Sequence, residues 1–190
     1  MNDNNGQTVL IVEDEAELAE LYADHLSEEY VTKTASTSGE ALVELTTDVD
    51  LVLLDRRLPG MSGDELLEHI QNWETDCQVI MVTAVDIDTE IIELPCEGYL
   101  QKPVDKDELL SAVQQAFLID QYERLILEYY ETRKKYAALE AEFSRSEVNS
   151  EQFDRLETRI EELEAEISET VDAFPDSEMS DAFRGLHQSD

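Results

Sequence analysis

Four short motifs carry the residues that could do chemistry, and each motif follows a run of apolar residues. Glu13 and Asp14 follow TVLIV, Asp55 follows LVLL, Thr83 follows VIMV, and Lys102 follows GYLQ. Three carboxylates held together repel one another, and each pair at ~4 Å costs on the order of 4 kcal/mol at an effective dielectric of about 20. A hard divalent cation removes this cost. Mg²⁺ suits the set because it binds a few carboxylates and keeps positions for water and phosphate oxygens.

The same residues fit phosphoryl transfer. A carboxylate beside the cation can attack a phosphoryl group in line and form an aspartyl phosphate. The new charge then needs donors, which the Thr83 hydroxyl, the Lys102 ammonium and nearby backbone N–H groups would supply. Taken singly, the acid pair could be a helix first-turn feature, Thr83 an ordinary strand-end residue and Lys102 a solvated charge. Their joint occurrence in this order, each at a strand end, favours one shared site.

The elements that must position these residues alternate along the first 118 residues. Strands are predicted at Thr8–Val12, Tyr30–Thr34, Asp50–Leu54, Gln78–Val82 and Gly98–Leu100. Helical patterns lie between them at about Ala16–His25, Ser38–Glu44, Gly63–Asn72 and Lys106–Phe117. The first, third and fourth strands are apolar on both faces, as a parallel sheet covered by helices requires. The pattern predicts an α/β fold, a doubly wound five-stranded parallel sheet that binds ligands at the carboxyl ends of its strands.

From Ile119 the pattern is helical only. Apolar residues repeat at spacings of three and four, first at Tyr122, Leu125, Tyr129, Tyr136, Leu139 and Phe143, with Thr132 in the same series. After the polar stretch Ser144–Gln152 the series resumes at Phe153, Leu156, Ile160, Leu163, Ile167 and Phe174. The spacing predicts an antiparallel helical hairpin over 119–174, with Asn149 or Ser150 as N-cap of the second helix. An intermolecular coiled coil fits the stripes equally well. Residues 1–7 are expected to be flexible, and 175–190 form a polar tail.

Composition indicates the environment. The chain of 190 residues has 13 Lys and Arg against 47 Asp and Glu, a formal net charge of −34, and the acids are dispersed along it. Self-repulsion on this scale destabilises a compact chain, and molar salt removes it because the Debye length falls to about 3 Å at 1 M. We therefore expect a halophilic cytoplasm. An acidic surface for a basic partner would instead be a localised patch. No run of residues is long and apolar enough for a membrane span, and the polar N-terminus lacks a signal-peptide pattern.

Residues 8 to about 118 resemble the receiver domain of two-component response regulators, through the acid pair, the block DRRLPGMSG, the Thr-Ala and the Lys-Pro. The resemblance implies a flavodoxin-like fold, a sensor histidine kinase as partner, and Asp55 as phosphoacceptor. It implies that Mg²⁺ is held by Glu13, Asp14, Asp55 and the backbone carbonyl of Arg57. It further implies that Thr83 and Lys102 contact the phosphoryl group, and that Tyr99 is an aromatic switch residue that turns inward as Thr83 moves.

The sequence departs from the receiver pattern in two places. The stretch from Thr83 to Tyr99 is about a helical turn shorter than in common receivers, and Pro95 interrupts it. A short helix is expected there, which puts dimerisation through the usual receiver face in doubt. Arg57 and Val85 occupy the two variable positions that tune phosphoryl lifetime in this family.

Residues from about 119 to 174 resemble the HalX domain that follows receivers in halophilic archaea, through YERLILEYYETRKKYAALEAE and LETRIEELEAEI. This resemblance implies a DNA-binding output, for which Arg133, Lys134 and Lys135 are the candidate contacts, with Arg124 and Arg145 on the same helix. Against it stand the acidic second helix and molar salt, which weakens phosphate binding. The basic residues could instead pair with acids of the facing helix.

Two outputs therefore stay open. One is a transcription regulator; the other is a protein-interaction or dimerisation relay without DNA, including a homodimer through the C-terminal helices. An enzyme acting on external substrates is not expected. Phosphatases of the haloacid dehalogenase type also use a strand-end Asp with Thr and Lys partners, but they need a second Asp two residues further on, where this chain has Arg57.

Overall fold

The computed structural model of the chain describes residues 6–72, 77–84, 95–142 and 150–174. The chain divides into two compact units, Met1–Ala116 and Phe117–Asp190. Within the described ranges, no helix is both long and apolar enough to cross a membrane. The predicted short helix after Thr83, the position of Val85, the N-cap candidate Asn149 and the polar tail all lie outside the described residues.

The described part of the first unit contains one five-stranded parallel sheet. Its strands are β1 (Thr8–Val12), β2 (Val31–Ala35), β3 (Leu51–Asp55), β4 (Gln78–Thr83) and β5 (Gly98–Gln101), in the order β2-β1-β3-β4-β5. The strands β1, β3 and β4 are buried throughout, because they carry apolar residues on both faces. The predicted α/β fold is thus confirmed, with strand ends shifted by at most one residue. The chain leaves β1 toward β2 on one side and returns to β3 on the other, which opens a crevice at the carboxyl ends of β1 and β3.

Three of the described helices lie wholly within this unit: α1 (Ala16–Leu26), α2 (Ser38–Glu44) and α3 (Gly63–Gln71). Side-chain caps begin two of them. Thr37 accepts a hydrogen bond from the Glu40 amide at the start of α2, and Ser62 forms a reciprocal capping box with Glu65 at the start of α3. Such caps satisfy amides that have no partner inside the helix. They fix where α2 and α3 begin, and with it the loop that joins β3 to α3.

The core of this unit lies against the faces of the three buried strands. Leu10, Val52, Leu54, Leu66 and Leu67 are at most 1% exposed and belong to one cluster. Burying a side chain of this size stabilises the fold by roughly 1.5–3 kcal/mol. The core therefore anchors β1 and β3, the two strands whose ends border the crevice.

The next helix, α4, runs unbroken over Lys106–Glu142. The predicted end of this helix at about Phe117 is therefore wrong, because the helical backbone continues to Glu142. The segment contains neither glycine nor proline, so nothing in it interrupts the hydrogen-bonding pattern of the helix. The change of pattern near Ile119 marks a change in what the helix packs against. The boundary between the two compact units lies within this helix.

In the second unit, α4 pairs with α5 (Ser150–Ala173). The Tyr136 and Phe153 rings meet edge to face at 5.6 Å, and the Tyr136 hydroxyl donates to Glu157 over 2.8 Å. Nearer the beginning of α4, the Tyr129 hydroxyl donates to Glu164 over 3.1 Å. The earlier residue of α4, Tyr129, thus contacts the later part of α5, and the later residue, Tyr136, contacts its beginning. The two helices are therefore antiparallel. The predicted helical hairpin is confirmed as a pairing within one chain.

Candidate functional site

The site lies where four neighbouring strands end. Asp55 and Thr83 are the last residues of β3 and β4, while Glu13 and Lys102 come directly after β1 and β5. The backbone fixes their register, because the Lys102 amide donates to the Thr83 carbonyl over 2.8 Å. The parallel ladder sets Asp55 opposite Val82, one residue before Thr83. The sequence predicted this shared edge because each residue follows an apolar strand.

The three predicted carboxylates do come together. Oxygen atoms of Glu13, Asp14 and Asp55 all lie within 4.8 Å of one another. Glu13 is 1% exposed and Asp55 is 5% exposed, whereas Asp14 is exposed to solvent. The Lys102 ammonium lies between the two buried acids, 2.6 Å from Glu13 Oε2 and 2.7 Å from Asp55 Oδ2. One cation therefore bridges the two carboxylates that are shielded from water.

Burial and charge act against each other at this cluster. Burial raises the pKa of Glu13 above its ordinary value, Asp55 adds repulsion, and the hydrogen bond from Lys102 offsets only part of the effect. Burial alone would lower the pKa of Lys102, but its hydrogen bonds to Asp55 and Glu13 outweigh burial and raise that pKa. Lys102 is therefore a firmly protonated ammonium. With all three acids ionised, one ammonium leaves a formal charge of −2 at the site.

The loop after β3 also holds Asp55. The Arg57 amide donates to Asp55 Oδ1 over 2.9 Å, so both carboxylate oxygens have donors. Arg56 pairs with Asp64 at 3.1 Å, and the Gly63 amide donates to the Arg56 carbonyl over 2.9 Å. A Cβ on Gly63 would lie 2.3 Å from the Asp55 carbonyl oxygen, so only glycine allows this approach. The role predicted for the Arg57 carbonyl as a metal ligand stays a prediction.

Thr83 is the last residue of β4, and Tyr99 lies on β5, the outermost strand on that side of the sheet. Thr83 is 1% exposed. Tyr99 on β5 is half-buried, pairs in register with Met81, and packs against the core cluster. Its hydroxyl is hydrogen-bonded to the Cys96 thiol, and burial is the main cause that raises the pKa of Tyr99. The phosphoryl contact of Thr83 and the switch role of Tyr99 stay predictions.

Sequence reasoning missed Tyr22. It lies on α1, is 1% exposed, and its hydroxyl has no hydrogen-bond partner among the described residues. Burial raises the pKa of Tyr22, and the charges of Lys102, Glu13 and Asp55 also act on it, so it lies within the electrostatic reach of the site. In the sequence, Tyr22 is an ordinary apolar position on an amphipathic helix. Only the packing of α1 against the sheet brings its hydroxyl near the charged cluster.

The predicted DNA contacts lie in the second unit. Arg133, Lys134 and Lys135 are all exposed on α4. Lys135 lies 4.0 Å from Glu131 of its own helix, and the alternative that the basic residues pair with acids of the facing helix stays a prediction. The ion pairing described between the two helices comes instead from Arg159 of α5, whose guanidinium donates to Glu128 at 2.9 Å. Arg145 lies outside the described residues.

Comparison with known families decides the assignment. Residues 9–114, more than half of the chain, match the family model of the response regulator receiver domain. The chain belongs to the response regulator receiver family. Residues 118–185 match the HalX domain. Both resemblances drawn from the sequence are thereby confirmed, and the acidic cluster lies within the matched receiver domain.

Relatives of this receiver protein differ in how much of the chain they match. A protein of Haloferax volcanii named "Putative transcriptional regulator" is 37% identical over 161 residues, which cover 84% of this chain and 28% of that protein. The "Sensory transduction protein RegX3" of Mycobacterium tuberculosis is 38% identical over 112 residues, covering 56% of this chain and 49% of the relative. The chain thus spans less than half of the length of each of these two relatives.

Solved receiver structures share the fold. The response regulator protein TrrA from Thermotoga maritima, in complex with Mg²⁺ and BeF, superposes with a TM-score of 0.54 at 32% identity. That match covers 58% of this chain and 98% of the other. A response regulator receiver domain from Methanospirillum hungatei gives a TM-score of 0.53 at 30% identity, covering 57% and 91% of the two chains.

Proposed function

We propose that this chain is a two-component response regulator that accepts a phosphoryl group on Asp55 and thereby controls its HalX unit. The observation that carries the proposal is the arrangement of Glu13, Asp14, Asp55 and Lys102 at one edge of a receiver sheet. Asp55 is 5% exposed and has donors at 2.7 and 2.9 Å on its two carboxylate oxygens. A buried, oriented carboxylate beside a fixed ammonium fits a nucleophile for phosphoryl transfer.

The site fits Mg²⁺. Its three carboxylates offer hard oxygen donors within 4.8 Å of one another, and one is exposed enough to keep the site open to water. The formal charge of −2 that Lys102 leaves uncompensated equals the charge of one divalent cation. Glu13, Asp14, Asp55 and the Arg57 carbonyl would hold the ion, which would neutralise charge on phosphate oxygens. The TrrA structure in complex with Mg²⁺ and BeF supports this choice.

Asp55, Lys102 and Thr83 have different roles in the proposed reaction. An oxygen of Asp55 attacks the phosphorus of a phosphohistidine on a sensor histidine kinase, and the P–N bond breaks as the O–P bond forms. The departing imidazole nitrogen keeps the bonding electron pair. Lys102 exchanges its contact with Asp55 for a phosphoryl oxygen, and Thr83 donates to another. Both donors would stabilise the charge on the transferred group.

The proposed output is transcriptional. The HalX match, together with the name of the Haloferax volcanii relative, supports a regulator that meets DNA through Arg133, Lys134 and Lys135. Phosphorylation of Asp55 would cause Tyr99 to rotate inward, and this rotation would change the receiver surface. Activity on external substrates is not part of the proposal, since Arg57 stands where a dehalogenase-type phosphatase needs an acid. The proposed compartment is the cytoplasm.

A protein-interaction relay without DNA is the second candidate. It is favoured by the acidic second helix and by the weak phosphate binding expected in molar salt. The Arg133→Glu, Lys135→Glu double variant separates the two outputs. Loss of DNA binding at molar KCl supports the transcriptional output, whereas DNA binding that is unchanged, or absent from the wild type, supports the relay.

The phosphoryl-transfer proposal is tested by labelling the chain with a small acyl phosphate donor in molar KCl, with and without Mg²⁺. Wild type, Asp55→Asn and Asp48→Asn are compared. Asp48 is a matched control because it is an exposed carboxylate paired with Lys33 outside the cluster. We expect Mg²⁺-dependent, hydroxylamine-labile label in wild type and Asp48→Asn, and none in Asp55→Asn. Label that survives in Asp55→Asn would overturn the assignment of the acceptor, and absence of label from all three proteins would overturn phosphoryl transfer.

A further inference from the structure

The face of α4 that points away from α5 carries two of the most exposed large apolar side chains in the described ranges. Leu127 is 63% exposed and Tyr130 is 67% exposed. Residues two positions apart on a helix lie about 200° apart around its axis. Leu127 is two positions from the buried Leu125, and Tyr130 is two positions from the buried Thr132. Both exposed residues therefore lie nearly opposite the side that packs against α5.

These two residues belong to a regular series, which we call the outer stripe. Its members are Glu123, Leu127, Tyr130, Lys134, Ala137 and Ala141, all exposed and spaced by four, three, four, three and four. Alternating spacings of three and four are the seam of a coiled coil. In a chain with 47 acids, this stripe has one acid, one base and four uncharged residues. A mostly uncharged surface of this kind is better suited to packing against another helix than to contact with solvent.

We propose that the outer stripe pairs with the outer stripe of a second copy of this chain, as an antiparallel two-helix interface. The two-fold axis passes between Leu127 and Tyr130, so that Leu127 of each copy packs on Tyr130 of the partner subunit. The same register places Lys134 opposite Glu123 of the partner subunit, and symmetry repeats each contact. In the dimer Arg133 and Lys135, which lie outside the stripe, are then the candidate DNA contacts. This inference rests on the proposed role of the HalX unit as output, which it supplies with a second subunit. It does not depend on phosphorylation of Asp55.

Charge decides the direction of pairing. A parallel pair would place Lys134 against Lys134 and Glu123 against Glu123 of the partner subunit, which brings like charges into contact at both positions. The antiparallel register turns both repulsions into attractions. An occupant such as DNA fits the stripe poorly, because Leu127, Tyr130 and the alanines offer little to phosphate oxygens. The net charge of −34 on each copy opposes association in dilute buffer, and molar salt screens that long-range repulsion.

The first test measures the mass of the full chain in molar KCl by sedimentation or light scattering at micromolar concentrations. We expect a dimer for wild type and a monomer for Leu127→Glu. Val43→Glu is the matched control, because Val43 is 75% exposed on α2 and far from the stripe in sequence. This control should remain a dimer. Far-UV circular dichroism checks that each variant keeps its helices.

The second test determines the register. Lys134→Glu and Glu123→Lys should each raise the dissociation constant about tenfold, equivalent to about 1.4 kcal/mol, and the double variant should restore it. Lys135→Glu, a neighbouring change outside the stripe, should have little effect. A monomeric wild type, or a Leu127→Glu protein that still dimerises, would overturn the interface. Failure of the double variant to restore affinity would overturn the antiparallel register.

Measuring Asp55 labelling on the same samples keeps this result separate from the proposed phosphoryl transfer. The dimer can be lost while the label persists, because Leu127 is far from Asp55 in sequence and lies in the other compact unit. Loss of DNA binding by Leu127→Glu without a change in mass would contradict the dimer and would assign the stripe to nucleic acid.

Discussion

Asp55 accepts hydrogen bonds on both of its carboxylate oxygens, from the Arg57 amide and the Lys102 ammonium. The two donors come from different elements, one from the loop after β3 and one from the end of β5. The carboxylate is thus oriented by backbone and side chain together. The loop can keep this position only if α3 starts close behind it, and Gly63 is the residue that permits this.

Replacing Gly63 with alanine should therefore disturb the site through the loop. The new Cβ would lie 2.3 Å from the Asp55 carbonyl oxygen and 2.7 Å from Arg56 Cα, both backbone atoms that must move. We expect Gly63→Ala to lower the free energy of unfolding by about 2–3 kcal/mol, the scale of an overpacked core, and to slow labelling of Asp55. Denaturant unfolding and the labelling rate measure the two effects.

Gly39 provides the matched control. It also lies near the start of a helix, α2, but a Cβ there would meet nothing closer than 4.0 Å. Gly39→Ala should raise stability by about 0.5–1 kcal/mol, because alanine restricts the unfolded chain more than glycine does. Equal effects at the two positions would show that the close approach at Gly63 carries no strain.

The sequence predicted the charged residues of the site, but not their support. Glu13, Asp14, Asp55 and Lys102 each follow an apolar strand, and parallel strands bring their ends to one edge. Gly63 and Tyr22 carry no such signal. The close approach of Gly63 to the Asp55 backbone and the influence of the site charges on Tyr22 arise only when α3 and α1 pack on the sheet.

At the scale of elements, the strands were predictable because burial on both faces requires an unbroken apolar run. Helix α4 was harder. Its apolar pattern changes near Ile119 because the helix passes from one compact unit to the other, while its backbone continues from Lys106 to Glu142. In the amino-acid sequence, such a change of packing partner looks like the end of a helix. The absence of glycine and proline was the signal that the helix continues.

Both apolar packing and ion pairs join the two helices of the hairpin, and their contributions to its stability differ in size. Leu163 on α5 is fully buried, whereas Arg159 lies at the surface and bonds to Glu128, Glu162 and Glu166. Leu163→Ala should destabilise the hairpin by about 2–5 kcal/mol, through lost burial and the cavity that remains. Arg159→Met should cost much less, and its effect should shrink in molar KCl, because exposed ion pairs contribute little and salt screens them.

The helical signal in far-UV circular dichroism measures both variants, during thermal unfolding at low and at molar KCl. A larger loss for Arg159→Met than for Leu163→Ala would mean that the ion pairs hold the hairpin. The sequence did not predict Arg159 as the residue that joins the helices. Its role depends on the register of α5 against α4, which the heptads allow in more than one alignment.

At the scale of the whole molecule, the dominant quantity is the formal net charge of −34. Acids outnumber basic residues by 47 to 13, so a large excess of negative charge remains whatever ion pairs form. Such repulsion acts on the compact chain more strongly than on the unfolded one, because unfolding separates the charges. We expect the midpoint of thermal unfolding to rise steadily as KCl increases from low to molar concentration.

Neutralising part of this charge should flatten the salt dependence. Glu17, Glu20, Glu161 and Glu169 are exposed on α1 and α5, so replacing all four with glutamine removes charge with little change in packing. We expect the glutamine variant to unfold at a higher temperature than wild type in low salt, and to gain less from KCl. Aspartate at the same four positions keeps the charge and should keep the wild-type slope. If the glutamine and aspartate variants respond to KCl with equal slopes, screening of net charge is not the source of salt stabilisation, and the acidic composition serves another purpose.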